Sequence, residues 1–231
     1  RPNGLTIMDV QFVPSFASGD ASSLEGDTVT VTGIVTASYQ TGDLGFLYIQ
    51  DPTATEFAGI YLSGGPASVF TFSRGDEVTV TGVVEENFGF TRLSVITATA
   101  TSNTGTVNPI VLDPSDASLF PFSAELEKYE SMLLRYENPS ISGQVWVANP
   151  NLGFGEYSVG SGMNATVAAR ILAGRSTAGS AQGSLDVSYI SDTAAYGSGL
   201  NVTPVQVTTT TSMDYVDGIL YYAFSNYKLT P

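Results

Sequence analysis

Histidine and cysteine are both missing from the 231 residues. Their absence removes thiol nucleophiles, thiolate and imidazole metal sites, disulfides, and every catalytic triad built on an imidazole. Cations are scarce as well: 8 Lys and Arg stand against 22 Asp and Glu, a formal net charge of -14, although only 13% of residues are charged at all. The surface must therefore be clothed mainly in Thr, Ser, Asn and Gly. No apolar run reaches the roughly 18 residues of a membrane span, so insertion into a bilayer is not expected. The chain opens at Arg1 rather than at methionine, as a processed form or an excised piece would.

What is present is a β-type composition. Hydrophobic residues reach 42%, and the aromatics are 12 Phe, 12 Tyr and one Trp. That is ample for a packed core and argues against global disorder. One stretch occurs twice. Glu-Gly-Asp-Thr-Val-Thr-Val-Thr-Gly-Ile-Val-Thr at residues 25–36 returns at residues 74–85 as Arg-Gly-Asp-Glu-Val-Thr-Val-Thr-Gly-Val-Val-Glu. Each copy sets a Gly-Asp turn (Gly26-Asp27, Gly75-Asp76) before a β-branched run, then a glycine, Gly33 or Gly82, where a bulge or bend is expected. The spacing of the copies is too short for two whole barrels, so they read as the first and fourth strands of one.

In chain order the pattern predicts a short strand over residues 5–12, then strands over 27–39, 46–50, 58–63, 78–84 and 91–99. Residues 67–73 have room for one or two helical turns. Five strands with a bent first strand and a short element between the third and fourth follow the order of an OB-type barrel. After a boundary near residue 105, a proline-punctuated connection leads to a single helical turn at 124–129, with Ser123 as its N-cap. Strands follow over 132–136 and 140–147, and at 156–159, 166–171, 185–190, 203–210 and 219–224, with a small-residue loop at 173–183. The expected architecture is all-β: two tandem five-stranded Greek-key barrels of OB type, residues 1–105 with an N-terminal lead-in and residues 106–231, the second one decorated.

The residues also carry a resemblance. Residues 25–36, Gly-Phe-Leu-Tyr-Ile-Gln-Asp at 45–51, Gly-Ile-Tyr-Leu at 59–62, and residues 75–95 with Gly-Phe-Thr-Arg-Leu at 89–93 resemble the OB-fold modules that accompany secreted bacterial nucleases of the endonuclease/exonuclease/phosphatase superfamily. Tyr-Glu-Ser-Met-Leu-Leu-Arg-Tyr at 129–136 is similar to a Glu-Gly-Met-Leu-Val-Arg pattern of those proteins, with Ser131 at the usual glycine. Residues 155–159 and 216–231 fit the same pattern. The resemblance implies a companion of an enzyme rather than the enzyme, because those nucleases use histidine at a metal-activated phosphate.

If Leu47 and Ile49 point into the barrel, period-two alternation turns Phe46, Tyr48 and Gln50 outward. Phe88, Phe90 and Arg92 sit on the turn after the fourth strand. These six are the candidate ligand-binding residues on an exposed face. Nucleic acid is the obvious ligand for such a face, but residues 1–105 hold 11 acidic and 3 basic side chains. Such a field repels polyanions, and phosphate contacts need Lys and Arg.

Oxygen ligands are plentiful enough to consider Ca2+. Asp113 with Asp116, and Asp214 with Asp217, each place two carboxylates three apart, but neither pair has the ligand run of an EF-hand loop. Solvated turns are the preferred reading, and no cofactor is expected. Nothing singles out a catalytic pair among 22 acids. The Arg74-Gly75-Asp76 tripeptide matches the first copy's turn and reads as structural rather than adhesive. The expectation is a non-catalytic binding or spacer module, secreted or on the cell surface of a bacterium, beside a neighbouring domain. Its partner is a protein or glycan ahead of nucleic acid. The alternatives are a nucleic-acid-binding accessory to a secreted nuclease and a carbohydrate-binding module.

Overall fold

The structure is a computed structural model that describes residues 4–14, 19–40, 43–138, 144–153, 155–172, 189–190 and 205–231. The chain is all-β, with 47% of residues in strands and 9% in helices. It divides into two compact units. The first comprises Arg1–Asn108, Glu127–Leu133 and Tyr221–Ala223; the second comprises Pro109–Leu126, Leu134–Leu220 and Phe224–Pro231.

The first unit is built on a closed barrel of five strands: β1 (Thr28–Ala37), β2 (Leu47–Gln50), β3 (Gly59–Ser63), β4 (Asp76–Glu86) and β5 (Thr91–Thr104). Their order around the barrel is β1-β2-β3-β5-β4, with β4 returning to β1. Only the β3/β5 pair is parallel. Alternation explains the filling of the barrel: Val29, Val31, Leu47, Ile49, Ile60, Leu62, Val78, Val80, Val84 and Leu93 form one buried aliphatic cluster. Each such side chain contributes on the order of 1.5–3 kcal/mol when fully buried. A 3-10 turn at Ala67–Thr71, between β3 and β4, adds Val69 to that cluster.

The two copies of the repeated stretch lie side by side. β1 and β4 pair antiparallel from Thr28 opposite Val83 to Ile34 opposite Glu77. Along the outside of this seam the Thr30 and Thr81 hydroxyls bond at 2.7 Å and those of Thr32 and Thr79 at 2.9 Å. The two mid-strand glycines differ in their reasons. At Gly82 the register against β5 shifts, as a bulge requires. Gly33 pairs in register with Val78, and the irregularity of β1 lies further on, between Val35 and Ala37 against β2. Gly33 answers close approach instead, since a Cβ there would come within 2.9 Å of Ile7 Cδ1 and 3.2 Å of the Gln50 carbonyl.

The lead-in corrects the sequence expectation of a strand over residues 5–12. Residues Ile7–Gln11 form α1, whose N-cap Thr6 and Asp9 make a reciprocal capping box. Ile7 and Val10 enter the barrel cluster, and buried Gln11 donates from Nε2 to the Gly59 carbonyl at 2.7 Å.

Eight strands, most of whose residues belong to the second unit, form one sheet: β6 (Ile110–Leu112), β7 (Leu133–Tyr136), β8 (Val145–Gly153), β9 (Glu156–Gly160), β10 (Ala168–Leu172), β13 (Ser212–Met213), β14 (Val216–Ala223) and β15 (Asn226–Thr230). A separate two-stranded ribbon joins β11 (Tyr189–Ile190) and β12 (Val205–Gln206). The large sheet runs β13-β8-β9-β10-β15-β14-β7-β6, with parallel pairs β10/β15 and β6/β7. A second five-stranded barrel is therefore replaced, among the described residues, by one broad mixed sheet. Alternation within a strand marks which face is buried, but it does not choose between neighbours about sixty residues apart in the chain. Buried Glu156 on β9 binds Arg170 at 2.7 Å and Lys228 at 2.5 Å, so the burial of Lys228 is compensated. Ser123 caps the 3-10 turn at Ala124–Tyr129, its hydroxyl accepting from the Glu125 N–H. The whole of the loop predicted at 173–183, residues 140–143 of the strand predicted at 140–147, and parts of the strands predicted at 185–190 and 203–210 lie outside the described residues.

Candidate binding face

The outer side of β2 and β3 carries a row of rings. Tyr48 on β2 stands directly opposite Tyr61 on β3, with centroids 5.1 Å apart. Phe46, just before β2, meets Tyr61 edge-on at 6.1 Å, and Phe90 meets it at 5.7 Å. Tyr221 closes on Phe90 at 5.2 Å. The row continues the other way through a hydrogen bond between the Tyr39 and Tyr61 side chains and through Tyr39 against Phe70 at 4.8 Å. Burial raises the Tyr39 hydroxyl above its ordinary range, an effect the bond to Tyr61 partly offsets. Each aromatic pair adds about 0.5–1.5 kcal/mol beyond area burial, so the row is a stiff surface.

The six residues expected on an open face do not share one environment. Leu47 and Ile49 do point inward, but Tyr48, Gln50 and Phe90 are buried, not exposed. Gln50 is an anchor: its Oε1 accepts the Leu133 N–H at 2.7 Å and thereby fixes the segment Glu127–Leu133 to the barrel. Phe90 lies under Tyr221. Phe46 is half-buried, and Arg92, also half-buried, is paired with Glu85 at 3.0 Å. Phe88 is 96% exposed at the tip of the β4–β5 hairpin and adopts φ +57°, with Gly89 following at φ +77°. The open part of the face is therefore Phe88, Phe46, Tyr61 and Phe70. Sequence reasoning missed Tyr39, Tyr61, Phe70 and Tyr221. Tyr61 was within reach, because it alternates with inward Ile60 and Leu62, whereas Tyr221 comes from the far end of the chain.

The unit that carries the face is rich in acidic residues, and its cations are already committed. Arg74 holds Asp43 through two bonds, Nε to Oδ2 at 2.9 Å and Nη2 to Oδ1 at 2.6 Å. Burial alone would lift the Asp43 carboxyl, but Arg74, with donors from Leu44 and Ser38, holds it below the usual range. Lys128 pairs with Glu56 at 3.1 Å. Among the described residues of this unit, every Lys or Arg is thus in an ion pair. A shallow cleft of about 250 Å³, lined by Ile34, Thr36, Gly75, Gly105 and Leu133, has the committed Arg74 as its charged wall.

The carboxylate pairs considered for Ca2+ are engaged locally. Asp113 Oδ1 accepts from the Ser115 N–H and hydroxyl, and Asp116 Oδ1 from those of Ser118. The Ser118 hydroxyl bond, followed by its N–H bond, holds Asp116 below the ordinary carboxyl range. Asp217 takes a two-bond grip from Arg135, both at 2.7 Å, and Arg135 lies over the Tyr215 ring at 3.6 Å. Asp214 lies between β13 and β14, half-exposed. No three acidic side chains among the described residues come together as metal ligands. With neither histidine nor cysteine, the face offers ring stacking and hydroxyl hydrogen bonds. No protein-family model matches the chain, and no curated protein matches it significantly.

Proposed function

We propose that this chain is a non-catalytic binding module of a secreted or surface-anchored bacterial protein, in which an OB-type barrel presents an aromatic face to a neutral glycan. The observation that carries the reading is the row of rings formed by Phe46, Tyr48, Tyr61 and Phe90, with Phe88 open to solvent two residues from Phe90 on the same hairpin. Flat apolar rings beside tyrosine hydroxyls suit sugar faces and their rims. The strand order β1-β2-β3-β5-β4 supports the OB assignment. The left-handed backbone of Ser131, φ +62°, at the position where the nuclease-associated modules carry glycine, supports kinship with them.

The second reading, a nucleic-acid-binding accessory of such a nuclease, draws on the same face. Against it stand the net charge and the pairing of Arg74, Arg92 and Lys128 with carboxylates, which leaves phosphate contacts to be made by breaking ion pairs. The test is calorimetric titration with a panel of neutral oligosaccharides and, at low salt, with single-stranded oligothymidylate. A sugar that binds, and binds at least about tenfold more weakly after Phe88→Ala or Phe46→Ala, supports the glycan reading. Oligothymidylate binding that falls steeply with salt would replace it with the second, and silence from the whole sugar panel would remove the glycan partner.

A further inference from the structure

Two carboxylates converge on Thr91, the first residue of β5 and the base of the hairpin that carries Phe88 and Phe90. Glu86 Oε1 accepts the Thr91 hydroxyl at 2.7 Å and the Ser22 N–H at 2.8 Å. Glu130, from the segment Glu127–Leu133, accepts the Thr91 N–H at Oε1, at 3.0 Å. Glu130 is 1% exposed. The second oxygen of each group, Glu86 Oε2 and Glu130 Oε2, is buried without a hydrogen-bond partner.

A buried carboxylate oxygen lacking both donor and cation is strongly disfavoured. The charged groups that face this pair make matters worse. Glu127, Glu86 and Asp20 act on Glu130, and Asp20 and Glu25 act on Glu86; all are acidic. Lys128, the cation nearest in sequence, is taken by Glu56. A metal ion or a proton could relieve the site. No set of three acidic ligands exists among the described residues, which leaves the proton.

We propose that the Glu86/Glu130 pair holds one proton at neutral pH, and that this proton is a latch: it keeps Glu127–Leu133 joined to the base of the β4–β5 hairpin and releases it as the pH rises. Burial, with the Glu127 charge second, pushes the Glu130 carboxyl well above the ordinary range, and burial also raises Glu86. The direction of the pH effect follows. In the unfolded chain the group loses its proton near 4.5, while the folded chain keeps it to higher pH. Between those points the folded state binds more protons, so stability falls as pH rises. Below the unfolded value both states hold the proton, so stability no longer varies with pH and the benefit of the protonated pair is fully present. One retained proton corresponds to about a tenfold drop in the folding equilibrium constant per pH unit across that window. Ionisation strengthens the Thr91 bond itself but leaves a buried charge among other carboxylates, so Glu130 is driven toward water. Its contact with Thr91 is lost with it, and the ring-bearing hairpin becomes the part of the barrel that loosens first.

Glu130→Gln separates the possibilities, because the amide keeps an acceptor for Thr91 N–H and supplies a donor where the proton sits. Urea unfolding and amide exchange at Thr91 are to be followed from pH 5 to 9 in both proteins. Relative to Glu130→Gln, the wild type should lose stability by about tenfold per pH unit over part of this range, with Thr91 protection lost in parallel; the variant should keep both. Parallel pH profiles overturn the proposal. So does Ca2+ if it restores the wild type at pH 8 and leaves Glu130→Gln unmoved, since a cation would then fill the place of the proton. Should Glu130→Gln fail to fold, carbon NMR of the wild-type glutamate carboxyls decides: one still protonated at pH 6.5 supports the latch, and none sinks it.

Discussion

Replacing Gly59 by alanine should destabilise the barrel unit by about 2–3 kcal/mol. Gly59 opens β3, and an added Cβ would stand 2.2 Å from the Ser131 carbonyl oxygen, 2.4 Å from its carbon and 2.7 Å from the Met132 nitrogen. These are backbone atoms, so no side chain can swing away, and the segment Glu127–Leu133 has to shift by about 1 Å to reach ordinary contact. Three hydrogen bonds hold that segment in place: Leu133 N–H to Gln50, Phe57 N–H to the Lys128 carbonyl at 2.6 Å, and Thr91 N–H to Glu130. Weakening each by about 1 kcal/mol costs about 3 kcal/mol. Alanine returns about 0.5–1 kcal/mol by restricting the unfolded chain. Urea unfolding followed by tyrosine fluorescence should show the midpoint falling by about 1 M. Gly162→Ala is the control, because nothing lies within 4 Å of its Cβ position, and its midpoint should barely move. A Gly59→Ala midpoint within about 0.2 M of wild type, roughly 0.5 kcal/mol, would refute the claim that close approach fixes this glycine.

The neighbouring strain gives the opposite sign: Ser131→Gly should stabilise by about 1 kcal/mol in the same assay, because it relieves a left-handed serine and deletes a buried hydroxyl with no partner. Phe88→Ala, at a fully exposed hairpin tip, should leave stability within about 0.5 kcal/mol, so that any loss of sugar affinity belongs to recognition; a larger loss would mean the ring packs. In the second unit, Glu156→Gln should cost about 3–5 kcal/mol in thermal unfolding by stranding the buried Lys228 charge, and a cost under about 1 kcal/mol would show that solvent already screens it.

Local pattern carried the barrel strands well and their surroundings poorly. Valine and threonine in alternation mark β1 and β4 because one face meets apolar neighbours and the other meets water, and that information is complete within each strand. The outward turn of Tyr48 and Gln50 was legible for the same reason. Their burial was not, since what covers them, Glu127–Leu133 and Tyr221, enters from distant parts of the chain. For α1 the five helical residues were too few for periodicity to show, and the surviving signal was the Thr6 and Asp9 capping pair. Gly33 and Gly82 look identical in sequence, yet one makes room for Ile7 and the other bulges, a difference set by neighbours across the barrel. The Glu86/Glu130 pair was invisible among 22 acids until the fold brought both to Thr91.

The seam between β1 and β4 has one more consequence. Because its two sides are near-copies running antiparallel, with threonine facing threonine at Thr30/Thr81 and Thr32/Thr79, it is close to self-complementary. No charge in the middle of the seam distinguishes β4 of the same chain from the corresponding strand of another. A barrel that has not yet closed therefore exposes an edge that a second unclosed molecule can complete in the same register. Closure within one chain wins by effective concentration, which makes this protein's fidelity at high concentration depend on how fast the barrel shuts.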